Sequence, residues 1–174
     1  MPLPGESLVA FLSDGAFEEQ RGSDWAPRWW RAEDCGYAIP VMILNGRRIE
    51  QRTQIVQEGG ADWLAEDVRH NGFAPLVVDG RDPAAIAWAL IEAETALQAF
   101  SALADKRYPA QLPYVIAETE KGFGFPGAGT NAAHNLPLPG SPCCDEAARE
   151  LFNASASALF VPEHELSEAI ALLS

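Results

Sequence analysis

Two oxygen-bearing side chains stand at the ends of short apolar runs. Asp14 follows Leu8–Leu12 within Ser13-Asp14-Gly15, and Asn45 follows Ala38–Leu44 at Asn45-Gly46. A carboxylate oxygen and an amide oxygen facing one another are suitable ligands for a hard cation such as Mg2+. That ion takes near-octahedral oxygen sets and commonly completes them with phosphate oxygens. Asp-Gly and Asn-Gly are also ordinary turn sequences, so the same residues serve equally well as plain turns. A second candidate is the stretch from Lys121 to His134, with Gly122, Gly124, Gly127 and Gly129. Such a backbone can approach a ligand closely and offer amide donors. Lys121 adds a point charge suited to phosphate. His134 can donate a hydrogen bond or transfer a proton near neutral pH. The plain alternative is a flexible glycine-rich loop with an exposed Lys and His.

The remaining reactive side chains point to less. His70 falls at the end of a helical stretch, where its charge suits the helix dipole, and His164 lies between Glu163 and Glu165 on a solvated face. Trp25, Trp29 and Trp30 could form a partner surface, although core packing is the commoner fate of such residues. Cys35, Cys143 and Cys144 make an odd count with two adjacent members, a poor disulfide framework and too few soft ligands for zinc. They are expected to be reduced thiols in a cytoplasmic protein.

The elements that must position these residues can be read from apolar patterning. Leu8–Leu12, Ala38–Leu44 (the strand proper starting at Pro40), Pro75–Val78 and Tyr114–Ala117 read as buried strands. Any helix within Glu18–Trp30 is interrupted by Pro27. Ile49–Glu58 and Ala61–His70 read as helices broken at Gly59-Gly60, the second closed by Asn71-Gly72. Asp82 caps a further helix with Pro83 at its first position, and Ile86, Leu90, Leu97 and Phe100 form its apolar stripe. Alternating strands and helices predict an α/β fold, a parallel sheet with helical crossovers. Lys121–Pro142 lacks periodicity and carries four prolines, the mark of a long functional or disordered loop. Asp145–Ala158 and Glu163–Leu173 read as final helices. The 174 residues suffice for one hydrophobic core. The expected organisation is one partial domain over 1–174: a sheet core at 8–119, a loop at 120–142 and C-terminal helices at 143–174.

Twelve basic residues against 25 acidic ones give a net charge of -13. Nucleic acid and anionic membrane surfaces are not expected as partners, because both are bound by clustered Lys and Arg. No apolar stretch approaches the ~20 residues of a membrane span, and Met1–Pro4 shows no secretory signal. A protein this acidic that binds a diphosphate needs a metal or local donors.

Taken together, these segments resemble the phosphoketolase and transketolase family of thiamine-diphosphate enzymes, phosphoketolases most of all. Phe11-Leu12-Ser13-Asp14-Gly15-Ala16-Phe17-Glu18-Glu19 resembles the family's Gly-Asp-Gly stretch. Val41-Met42-Ile43-Leu44-Asn45-Gly46-Arg47-Arg48-Ile49 resembles the Leu-Asn-Gly stretch that closes the same metal motif. Gly72–Gly80 with Asp82-Pro83 is similar to the next strand and helix start. Thr119–Pro126 and Gly129–Leu138 are similar to the Pro-Lys-Gly and Arg-Ala-His-Gln-Val-Pro-Leu segments. Ser13 stands where the family has its first glycine, and Ala16 where phosphoketolases have Glu.

The resemblance implies an incomplete thiamine-diphosphate-binding fold and assigns roles. Asp14, the Asn45 side chain and the Arg47 backbone carbonyl would hold Mg2+, and the metal would bridge to the diphosphate. Gly15 would lie against that diphosphate. Lys121 and His134 would contact the diphosphate or a ketose-phosphate substrate, with His134 in a catalytic role. Family members also carry earlier strands with His-containing loops and a pyrimidine-binding domain whose Glu activates the cofactor. The chain is therefore expected to be part of a diphosphate-binding domain, inactive alone, and to work as a homodimer or with a complementary chain carrying the pyrimidine-binding domain. The alternative is a non-catalytic, degenerate binding or interaction module of the same fold. A generic nucleotide-binding α/β domain ranks last, since neither Gly-x-Gly-x-x-Gly after the first strand nor a Walker loop is present.

Overall fold

The structure is a computed structural model and describes residues 2, 3, 5–20 and 30–173. It divides into two compact units, Met1–Lys121 and Gly122–Ser174.

Four apolar segments of the first unit form one parallel sheet: β1 (Ser7–Ser13), β2 (Tyr37–Leu44), β5 (Phe73–Asp79) and β6 (Leu112–Glu118), in the order β1-β2-β6-β5. This is the α/β architecture that the alternating pattern predicts. The two inner strands are the most apolar and the most buried. Val41, Met42, Leu44, Val115, Ile116 and Ala117 are almost fully enclosed, as befits parallel strands covered on both faces. Each strand runs slightly beyond its predicted span. The strand proper does not begin at Pro40: β2 starts at Tyr37, with Pro40 paired to Ala10 of β1. The ladder between β2 and β6 begins only at Val41, so the missing proline amide costs no bond on that side.

Helices link the strands. α1 (Asp14–Gln20) leaves β1 directly, so Asp14 opens a helix where the sequence reads as a turn. The remainder of the predicted Glu18–Trp30 stretch, together with Trp25 and Trp29, falls outside the described residues. Trp30 is a core residue, its ring tilted against Phe100 at 5.7 Å between centroids, with its indole N–H donating to the Gly36 carbonyl at 3.0 Å.

The helix predicted over Ile49–Glu58 begins late. Arg47–Arg48 (β3) and Gln51–Arg52 (β4) form a small antiparallel hairpin, and only Gln54–Glu58 (α2) is helical. Two-residue strands are too short to leave a hydrophobic period, and the hairpin is satisfied instead by Arg47↔Arg52 and Arg48↔Gln51 pairing. α3 (Ala61–His70) matches its predicted span and buries Leu64, Ala65 and Val68. α4 (Pro83–Ser101) is capped by Asp82, whose side chain accepts from the Ala84 amide at 2.9 Å. Its buried stripe is Ala89, Ala93 and Leu97, flanked by half-buried Ile86, Leu90 and Phe100. The small alanines let the helix sit close to the sheet, which the larger predicted residues alone would not.

The second unit is turn-rich up to a single 3-10 turn at Asn131–His134. α5 (Glu146–Ala156) follows, capped by Asp145 onto the Ala148 amide at 2.9 Å, and passes into a 3-10 turn at Ser157–Leu159. α6 (Glu163–Leu173) ends the chain's described part. His70 and His164 are both exposed, as expected. All three cysteines are free thiols, Cys35 buried and the adjacent pair exposed. Among the described residues no helix is long and apolar enough to cross a membrane.

Candidate functional site

β1 and β2 are parallel neighbours with Ser13 opposite Ile43, so the residues that follow leave the sheet side by side at its carboxyl edge. That edge is where ligands bind in open α/β sheets. It brings Asp14, the residue after β1, to the turn after β2. The Asp14 carboxylate is fully enclosed. Its Oδ1 accepts from the Gly15 amide at 2.9 Å, and its Oδ2 accepts from the Gly46 amide at 2.7 Å and from the Thr53 hydroxyl at 3.4 Å.

The partner turn is shaped to meet it. Gly46 has φ +76°, and a Cβ there would lie 3.0 Å from Val56 Cγ2, so conformation and space both call for glycine. The Gly46 carbonyl accepts from the Thr53 amide at 3.0 Å, which closes the hairpin into a ring of hydrogen bonds around the carboxylate. The Asn45 side-chain oxygen accepts from the Arg47 amide at 3.0 Å. Gly15 is buried, and a Cβ on it would come within 3.1 Å of Arg48 Cβ. Glu18, one turn along α1, accepts from the Ile55 amide at 2.8 Å and pairs with Arg48 at 3.8 Å.

Burial pushes the Asp14 carboxyl above its ordinary value of 3.8. The Gly46 and Gly15 amides pull the other way, Glu18 adds to the rise and Thr53 opposes it. A carboxylate, an amide oxygen and a nearby backbone carbonyl are the donors a hard cation takes. Here the carboxylate oxygens already face inward onto the chain's own donors. Three of the roughly four acceptor positions of the carboxylate are thus taken by the chain's own donors, which leaves about one, on Oδ1, for a cation. Among the described residues, no group of three His, Cys, Asp and Glu side chains could hold a metal.

Of the other predicted residues, Lys121 is the last of the first unit, three positions beyond β6, and His134 ends the 3-10 turn of the second unit. The sequence reading missed Thr53, Glu18 and Gly46. Thr53 directly precedes a helix, a position Thr favours, but a helix drawn from Ile49 hides it. A cleft of about 460 Å3 opens at the same sheet edge, lined by Asp79, Arg81, Glu118, Thr119 and Glu120. In it Arg81 grips Asp79 through two bonds of 2.9 and 3.0 Å, which hold the Asp79 carboxyl below its usual range.

No protein-family model matches the chain. It is similar to two curated proteins named "Probable phosphoketolase", from Rhodopseudomonas palustris strains HaA2 and BisB5. Each is 31% identical over 117 residues, covering 59% of this chain. The chain spans about 15% of the length of those relatives, and its likeness to phosphoketolase is a likeness to a small part of that protein.

Proposed function

We propose that this chain is the thiamine-diphosphate- and Mg2+-binding portion of a phosphoketolase- or transketolase-like enzyme acting on ketose phosphates, and that it is inactive alone. The observation that carries this reading is the 2.7 Å hydrogen bond from the Gly46 amide to Asp14. It joins the two segments that resemble the halves of a metal-diphosphate motif, at the sheet edge where such a ligand belongs. Asp14, the Asn45 side chain and the Arg47 carbonyl would hold the metal, and Gly15 would border the diphosphate. Lys121 and His134 would contact the diphosphate or the sugar phosphate, His134 moving a proton there. When bound, the cofactor supplies the nucleophilic carbon that attacks a ketose carbonyl. A homodimer or a complementary chain with a pyrimidine-binding domain would complete the site.

One observation favours a second reading, a non-catalytic remnant of the same fold. Asp14 is fully enclosed, is held by Gly15, Gly46 and Thr53, and acts as a brace between the start of α1 and the turn after β2. Calorimetric titration of thiamine diphosphate, with and without Mg2+, separates the two. Mg-dependent binding by the native chain, reduced at least tenfold in folded Asn45→Ala and abolished in Asp14→Ala, supports the first reading. No binding to the native chain, alone or mixed with a pyrimidine-binding domain, overturns it.

A further inference from the structure

We propose that Cys143 and Cys144 form a two-thiol capture site for a soft, thiophilic metalloid or metal ion. Both thiols are exposed, whereas Cys35 is buried. The backbone beneath them is pinned from both ends. The Cys144 and Asp145 amides donate to the Ser141 carbonyl at 3.0 and 2.8 Å. The Arg149 guanidinium reaches back from α5 and donates to the Pro142 and Cys143 carbonyls at 2.9 and 3.3 Å. Asp145 is itself fixed as the cap of α5. A site held in place before its ligand arrives loses little freedom on binding.

Geometry selects the kind of ligand. Adjacent Cα atoms across a trans peptide lie about 3.8 Å apart. An ordinary disulfide spans about 4.4–6.8 Å, so direct closure of the pair would be strained and readily reduced. One soft atom held by both sulfurs bridges the pair without an S–S bond, and thiolates prefer soft partners. Among the described residues no third His, Cys, Asp or Glu joins the pair in a metal-holding group, which disfavours four-coordinate zinc. A trivalent arsenical needs only two sulfurs beside its own substituent. With phenylarsine oxide, two As–S bonds form and the As–O bond breaks. The oxygen leaves as water carrying both thiol protons, and no atom changes oxidation state.

The test is titration of the full chain with phenylarsine oxide, counting the remaining exposed thiols with a disulfide dye. One arsenical should consume both exposed thiols, in an adduct that survives excess monothiol and yields to a 1,2-dithiol. Cys143→Ser and Cys144→Ser should each weaken capture about 100-fold or more, since the second As–S bond gains from high effective concentration. Arg149→Ala should weaken it several-fold, as the turn loosens. Capture by either single Ser variant as tight as the native chain's, or an adduct that monothiol reverses, would overturn the proposal.

Discussion

Asp14 shows how one side chain can carry two opposed demands. Its carboxylate satisfies three donors in a buried site, and burial makes its charged form costly. Asp14→Ala leaves those donors without an acceptor and should destabilise the chain by about 2–4 kcal/mol, read from urea unfolding in chelator. Its titration sets a pH dependence. The folded carboxyl binds its proton more tightly than the unfolded one, whose value is near 3.8. The stability it contributes is complete below about pH 4 and drains away as pH rises through the raised folded value. Measured in chelator against non-titrating Asp14→Asn, the native chain should therefore lose relative stability as pH rises above about 4; a constant difference would refute the upward shift of the Asp14 carboxyl. Tyr114 is the converse case. Its hydroxyl is buried, finds no hydrogen-bond partner among the described residues and is held protonated. Tyr114→Phe should stabilise by about 1 kcal/mol, seen as a rise in Tm, because an unmade buried hydrogen bond is removed. The Asp14 and Asn45 positions were legible in the sequence because each ends an apolar run. The enclosure of Asp14 was not, because Thr53 closes it across a hairpin that no local pattern marks.

At the scale of elements, long apolar segments were legible and short polar ones were not. α3 and the Asp82-Pro83 start of α4 emerge where expected, since cap residues and a helical period agree. β3 and β4 escaped, because two residues per strand carry no period and Ile49 looks like the start of an apolar stripe while lying exposed in the turn. That hairpin is the element on which the candidate site depends, and Gly46 is its pivot. Gly46→Ala meets both a left-handed φ and a methyl of Val56. It should cost about 2 kcal/mol, most of it backbone strain. In hydrogen exchange the Gln54–Glu58 helix should open sooner while α4 keeps its protection.

At the scale of the molecule, β1 stands at the edge of the sheet with Leu8, Val9 and Phe11 exposed, and no residue of the strand is charged. Such an edge is a template for pairing with another strand. The chain's net charge of -13 opposes the approach of a second copy. Salt screens that repulsion within about 10 Å at 0.1 M. Self-association should thus grow between about 0.05 and about 0.5 M salt in sedimentation experiments, as the repulsion is screened, and Phe11→Lys should suppress it. Association that falls with salt would point to ion pairs instead. The sequence showed that Leu8–Leu12 is a strand, but the expectation that it is buried is corrected by the exposure of Leu8, Val9 and Phe11. It could not show that the strand is an outer one, because strand order follows from crossovers and not from local patterning.

The same strand order governs how the chain can assemble. β1 and β2 are neighbours in sequence as well as in space, so they can pair early. β5 and β6 are likewise consecutive strands that pair, but β6 enters last and must also fill the gap between β2 and β5, so the β2–β6 ladder joins segments far apart in the chain. Until residues 112–118 are available, Leu76 and Val78 of β5 have no ladder, and the inner face of β2 has no cover on that side. The sheet therefore forms in one late step that depends on contacts distant in the chain, a topology that folds slowly and exposes apolar edges while it waits.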